Sequence, residues 1–222
     1  GILNGTTNYI LTRMTDDGGD YETALSMAQE KGFAEQDPTM DVDGTDAAQK
    51  LGLLCRIAFG VELATADILK RGIRHIRSLD IDFARELGYT IKLLAIGKSR
   101  GGRVEARVHP ALVPSGTLLA NVKDEFNAVE VLGNAVGPQV FHGRGAGEMP
   151  TASAVVSDLV DTAEKRLAGR NGSREHVPCP PAQVVPLEEV HTSNYCRFTV
   201  HDQPGVLAQI AHIFSEEQIS IA

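Results

Sequence analysis

Glu35, Asp37, Asp41, Asp43 and Asp46 fall within twelve positions, and Lys50 follows Asp46 by four. On a helix, side chains four residues apart project from one face. A lysine beside a carboxylate can hold or relay a proton while the carboxylate orients it. The acidic stretch around the pair suits a substrate ammonium group. The same spacing also makes an ordinary solvated ion pair, worth a few tenths of a kcal/mol and the commoner outcome on spacing alone. Calcium fits less well. Asp41-x-Asp43-Gly44 lacks both the next alternate Asp and the closing Glu of a calcium loop.

Two further segments carry possible chemistry. Asn4-Gly5-Thr6-Thr7-Asn8 opens a helix, where free backbone N–H groups can bind a carboxylate or phosphate. An ordinary helix cap is the plainer reading. Gly143-Arg144-Gly145-Ala146-Gly147 is only loosely like a phosphate loop. It lacks the G-x-G-x-x-G spacing and a following Lys-Ser/Thr, so it reads as a tight strand-to-helix turn.

Residues 1 to about 60 must position the first two segments, and they read as helices. Tyr9, Ile10 and Met14 give a helical spacing over 8–14 with Thr6 or Thr7 as cap. A second helix spans 21–31 and stops at Gly32. Residues 33–44 form an acidic loop, and Thr45 caps a third helix to about Phe59. Residues 65–77 read as a short helix and an exit loop. The period then shortens to that of strands at 89–96, 104–108, 127–131 and 139–142, with Gly101-Gly102 as a hairpin turn. A long helix follows at 152–167. Residues 169–190, rich in proline and polar residues, read as a linker. Beyond it come a strand at 195–200, a turn at 201–205 and a helix at 206–216.

The chain has 222 residues, is 42% hydrophobic and 23% charged, and carries a formal net charge of −8. That composition suits one full domain plus a smaller piece. The acidic balance disfavours nucleic-acid binding. No apolar run approaches the ~20 residues of a membrane helix, and nothing resembles a signal peptide. Cys55, Cys179 and Cys196 fit neither a disulfide framework nor a zinc site, which favours a reducing, cytoplasmic setting. No metal site is expected. The first residue is Gly and the last residues begin an apolar alternation, so both ends read as cuts.

The runs GILNGTTNYILTRM, AQEKGFAEQDPTMDVDGTDAAQKLGLL and LGNAVGPQVFHGRGAGEMPTASAVVSDLV resemble the catalytic domain of homoserine dehydrogenases, collinearly over residues 1 to about 168. The resemblance implies an NADP- or NAD-dependent oxidoreductase interconverting L-homoserine and L-aspartate 4-semialdehyde, on the route to threonine, methionine and isoleucine. It implies Lys50 as proton donor and acceptor, with Asp46 orienting it. Glu35 and Asp41 would bind substrate, Glu35 at the amino group. Gly5 and Thr6 would lie near substrate and nicotinamide. Phe33 stands where many members have Tyr. The cofactor would be bound mainly by an N-terminal Rossmann domain that this chain lacks, so the chain alone is expected to be inactive.

Residues 195–222 resemble the first strand, turn and helix of an ACT domain, a small module that often binds amino-acid effectors. Asp202, Gln203, Pro204 and Gly205 match the turn where such ligands dock, and the family association points to threonine. The expected organisation is a catalytic, substrate-binding and oligomerisation domain at 1–168, a linker at 169–190 and a partial ACT domain at 191–222. The expected fold is α+β, with helices on one face of a mixed or mostly antiparallel sheet plus a truncated ACT-like βαβ piece. The resemblance to homoserine dehydrogenases implies a homodimer or homotetramer formed through that sheet. Two other readings stay open. One is a non-catalytic amino-acid-binding regulatory or dimerisation module. The other is a related NAD(P)-dependent oxidoreductase with another small substrate.

Overall fold

The computed structural model describes residues 1–169 and 178–221. The chain divides into two compact units, Gly1–His191 and Thr192–Ala222.

The first unit is α+β with parallel and antiparallel pairing. Helix α1 (Gly5–Asp17) is buried along most of its length, through Thr6 to Thr12 and Met14. It begins three residues before the expected start, and its cap is Asn4 rather than Thr6 or Thr7. Asn4 has an extended backbone, and its side-chain oxygen accepts from Thr7 N–H at 2.8 Å. That bond satisfies one of the N–H groups a helix start leaves open. Helices α2 (Tyr21–Glu30), α3 (Thr39–Val42) and α4 (Thr45–Phe59) follow. The short α3 lies inside the stretch expected as loop. Thr45 belongs to the first turn of α4 and does not cap it. The cap position is Gly44, and the Thr45 hydroxyl instead accepts from Lys70 Nζ.

Strand β1 (Leu69–Lys70) is followed by α5 (Ser78–Glu86), a helix the periodicity did not show. It is only nine residues long, too short for its pattern to outweigh the polar residues around it. Strands β2 (Tyr89–Arg100) and β3 (Arg103–Pro114) form an antiparallel hairpin. They run longer than expected because pairing continues to the turn, where Gly101 and Gly102 both take positive φ, as a two-residue hairpin turn demands. Alternate residues Ile91, Leu93 and Ala95 of β2 and Val104, Ala106 and Val108 of β3 join the core built by α1, α2 and α4.

Strands β4 (Phe126–Gly133) and β5 (Gly137–Arg144) form a second antiparallel pair. The first residues of the chain join the two sheets. Gly1 exchanges backbone hydrogen bonds with Ala95 of β2, and Ile2 does the same with Ala128 of β4. Helix α6 (Glu148–Leu167) follows, with no buried residue.

Residues 170–177 of the stretch expected as linker lie outside the described residues. Its remainder lies against the sheet of the first unit. Pro180 and Ala182 bond Glu62 through the backbone, and β6 (Gln183–Val184) pairs in parallel with β3.

In the second unit, α7 (Val206–Glu216) has the expected bounds. Residues 195–200 are not a strand. Their alternation supplies the propensity, but a strand is defined by ladder partners, and none is present among the described residues. Phe198 meets Phe214 edge-on, with ring centroids 5.9 Å apart.

Candidate active site

The site forms where the capped start of α1 meets the start of α4. Asn4 is only 4% exposed, and both ends of its amide are used. The oxygen caps α1. The nitrogen donates to Asp41 Oδ1 at 2.6 Å and to Asp46 Oδ2 at 2.9 Å. Asp46 Oδ2 also accepts from Lys50 Nζ at 2.7 Å, and Lys50 Nζ donates to Leu3 O at 3.2 Å. One amide therefore ties helix α1 to two carboxylates, and one of those carboxylates fixes the lysine.

A bare Asp–Lys pair at this spacing would wander among rotamers and contribute little. Here two acceptors hold the ammonium, and the third N–H of Lys50 has no partner among the described residues. The lysine side chain is 45% exposed. It is thus held in place, yet open to a ligand, which is the arrangement a proton donor requires.

The other acidic residues go elsewhere. Asp43 pairs with Arg74 Nε at 2.7 Å. Asp37 accepts from Thr39 N–H in a local turn, and bonds to Thr39 hold its carboxyl below the usual range. The Glu35 side chain is exposed and outside the cluster. Its position is set through the backbone, where its carbonyl accepts from Gln29 Nε2. Of the five acids, only Asp41 and Asp46 meet Lys50's neighbourhood.

Gly5 and Thr6 form the first turn of α1. Asn4 spends its cap on Thr7, so the N–H groups of Gly5 and Thr6 have no partner among the described residues. The Thr6 hydroxyl donates to Phe33 O at 2.6 Å. The Phe33 ring packs on Tyr9, centroids 5.0 Å apart. Gly5 is pressed against the chain at Glu125, where any added Cβ would sit 2.6 Å from Glu125 O. Only glycine allows that approach.

The glycine-rich run 143–147 ends β5 and turns into α6. Arg144 pairs with Glu125 at 3.0 Å and lies over the Phe126 ring. Asp202, Gln203, Pro204 and Gly205 form an exposed turn ahead of α7, whose start has no side-chain cap.

The family described as homoserine dehydrogenase matches residues 1–160. The chain belongs to the homoserine dehydrogenase family. The homoserine dehydrogenase of Neisseria gonorrhoeae is 42% identical over 226 residues, covering 100% of this chain and 52% of its own. The crystal structure of a homoserine dehydrogenase from Thiobacillus denitrificans aligns with TM-score 0.85 at 42% identity, over 98% of this chain and 52% of that one. A hyperthermophilic archaeal homoserine dehydrogenase mutant in complex with NADPH aligns with TM-score 0.60 at 28% identity, over 74% of this chain and 46% of that one. The chain spans about half the length of the curated relatives it matches. Every residue of the Asn4–Asp41–Asp46–Lys50 cluster lies inside residues 1–160, which the family matches, while the second unit is covered by the matches to whole relatives alone.

Two residues central to this geometry escape a reading by spacing. Asn4 is visible only as part of a helix-start motif. Nothing in the sequence says that it also bridges Asp41 and Asp46. Lys92 sits in the apolar run Tyr-Thr-Ile-Lys-Leu-Leu-Ala-Ile and is 2% exposed. A charge there is the available signal, because buried lysines are rare. Burial brings its ammonium down to about 8, partly countered by Asp16 and Asp124 and reinforced by Lys123.

Proposed function

We propose that this chain is the substrate-binding and proton-transfer part of an NAD(P)-dependent homoserine dehydrogenase. The observation that carries the reading is the Asn4–Asp41–Asp46–Lys50 cluster in a chain of this family. In the reduction of L-aspartate 4-semialdehyde, the free N–H of Lys50 delivers a proton to the aldehyde oxygen. In homoserine oxidation Lys50 takes it back. Asp46 keeps the ammonium oriented in both directions. Asp41 and Glu35 supply negative charge for the substrate ammonium. The unspent N–H groups of Gly5 and Thr6 suit a carboxylate or a carboxamide at the helix start, so these two residues would lie between substrate and nicotinamide.

The nicotinamide supplies or accepts the hydride. The chain contains no G-x-G-x-x-G run, so the pyrophosphate is held mainly by sequence outside these 222 residues. NADP and NAD are both compatible with the residues present. A purely regulatory amino-acid-binding module would have no need of a lysine held by two acceptors with one N–H open. The proposed setting is the cytoplasm, and the proposed pathway is the synthesis of threonine, methionine and isoleucine.

Three further readings belong to the parent protein. The domain division is a catalytic and oligomerisation domain at 1–168, a linker at 169–190 whose residues 180–184 lie against the first unit, and a partial ACT domain at 191–222. The uncapped start of α7, with Asp202–Gly205 ahead of it, would receive the carboxylate of an amino-acid effector such as threonine. The exposed apolar side chains Val131, Leu132 and Phe141 of the β4–β5 pair suit self-association into a homodimer or homotetramer.

The test is homoserine-dependent NAD(P)⁺ reduction by the parent protein, wild type against Lys50→Ala. Turnover by wild type, with a loss of ~100-fold or more in kcat in a folded Lys50→Ala, supports the assignment and the proton-transfer role. Absence of homoserine turnover in the wild type overturns the substrate. Isolated, the 222 residues are expected to show no such reduction, and measurable turnover would contradict the placement of the cofactor site.

A further inference from the structure

Lys92 lies between Ile91 and Leu93 of β2, so it points to the side of the strand opposite those core residues. Among the described residues no carboxylate stands within ion-pair distance of it. Its Nζ donates to Asn8 Oδ1 at 3.0 Å and to Val122 O at 2.5 Å. An uncompensated buried ammonium is costly, and a leucine or methionine would fill such a place more cheaply. Packing alone therefore does not account for it.

Its two partners lead to one segment. Asn8 Nδ2 donates to the carbonyls of Val122, Asp124 and Phe126, at 3.1, 3.0 and 3.1 Å. Residues 122–126 thus form a strap whose carbonyls converge on the Asn8–Lys92 pair. The strap runs along a single face of α1. Thr12 Oγ1 accepts from Asp124 N–H at 3.1 Å, Arg13 pairs with Asp124 at 2.8 Å, and Lys123 pairs with Asp16 at 2.8 Å. At the other end, Glu125 O closes on Gly5. Asp124 adopts a positive φ of 54°, uncommon for a residue with a side chain. The strap is therefore held in a conformation it would not favour alone.

Gly5 follows Asn4, the residue that ties Asp41 and Asp46 to α1. We infer that Lys92 and Asn8 are positioning residues. They seat the 122–126 strap on α1, and the strap fixes the first turn of that helix, and with it Asn4, over the Asp46–Lys50 pair. Lys92 touches neither substrate nor cofactor in this arrangement. It acts through the strap.

The kinetic side of this inference rests on the homoserine dehydrogenase reading. The experiment uses the parent protein and compares wild type, Lys92→Met and Lys92→Gln. Each is followed by homoserine oxidation kinetics, thermal unfolding and residue-resolved hydrogen exchange. Lys92→Met removes both donors and the charge while filling the space. It is expected to lose about tenfold in kcat, with KM for homoserine within about twofold, and to unfold no earlier than wild type. Lys92→Gln keeps an amide donor and is expected to return to within about threefold of wild-type kcat. Exchange in Lys92→Met should quicken at residues 7 and 8, whose N–H groups bond Asn4, and at 122–126, and not elsewhere.

A folded Lys92→Met with kcat within twofold of wild type overturns the inference. So does a loss of activity that only follows a loss of melting temperature, or exchange that quickens uniformly, since either marks a merely structural lysine. If Lys92→Met fails to fold, Thr12→Val releases the strap from the opposite side. It is then expected to lower kcat about threefold with the same local exchange, and unchanged kcat and exchange there refute the inference. If the wild-type parent does not turn over homoserine, the substrate reading has failed. The exchange comparison still decides whether Lys92 holds the strap.

Discussion

Helices α1 and α6 both carry apolar residues and meet opposite fates. Ile10 of α1 is wholly buried and its neighbours are nearly so, while α6, seven residues longer, buries nothing. Yet Val155, Val156, Leu159 and Val160 of α6 recur at a helical spacing, the stripe expected of a helix that packs on something. An apolar stripe records that a helix was selected to be covered. It does not record what covers it. In α1 the cover is this chain. In α6 no cover comes from the described residues of the first unit, and the chain spans half the length of its relatives.

The sharpest way to break this comparison is to truncate a side chain in each helix and measure urea unfolding. Ile10→Ala should cost about 2–5 kcal/mol, because the cavity is enclosed on all sides. A cost below ~1 kcal/mol would show that α1 is less tightly packed than the structure has it.

Lys92 gives the next largest effect, and it depends on pH. Its ammonium titrates near 8 in the folded chain and near 10.5 when unfolded. Below about pH 8 both states are protonated. Between about 8 and 10.5 the unfolded chain binds a proton that the folded chain does not. Stability should therefore rise with pH across that window, on the order of 2–3 kcal/mol relative to Lys92→Met. Parallel stability curves for the two proteins would mean that the ammonium is not buried in solution.

Asn4→Ala should cost about 1–2 kcal/mol in unfolding experiments, the worth of a helix cap. In the parent it should also lower homoserine turnover roughly tenfold by freeing Asp46, which steady-state kinetics will show. The smallest effect sharpens the comparison most. Leu159→Ala should change the stability of the 222-residue chain by less than ~0.5 kcal/mol and that of the parent by clearly more. Equal effects in both would mean that α6 is an exposed helix in the whole protein.

The hairpin, the long helices and the Asp46–Lys50 pair were all legible, since each is written in local spacing. Helix α7 was read with its bounds intact, because its apolar face and the Pro-Gly turn before it are local signals. Helix α5 was not, being short and flanked by charges. The segment 195–200 shows the converse failure. Its alternation is strong, but a strand needs a partner that spacing cannot supply. Part of the proline-rich stretch turned out to be sheet-paired through β6 for the same reason, since its partners lie in β3 and at Glu62, far along the chain.

The sequence by itself determined the family, the mixed class of the fold and the candidate residues for proton transfer. Those follow from residue type, period and a long collinear match. Only the tertiary structure decided which acids meet the lysine and its neighbours. It sent Asp43 to Arg74 and Asp37 to a local turn, left the Glu35 side chain in solvent, and gathered Asp41 and Asp46 onto Asn4. It also brought Lys92 beneath the strap, across more than eighty residues from Asn8. These choices depend on groups distant in sequence meeting in a space where every buried polar atom needs a partner, and no spacing rule along one chain contains that information.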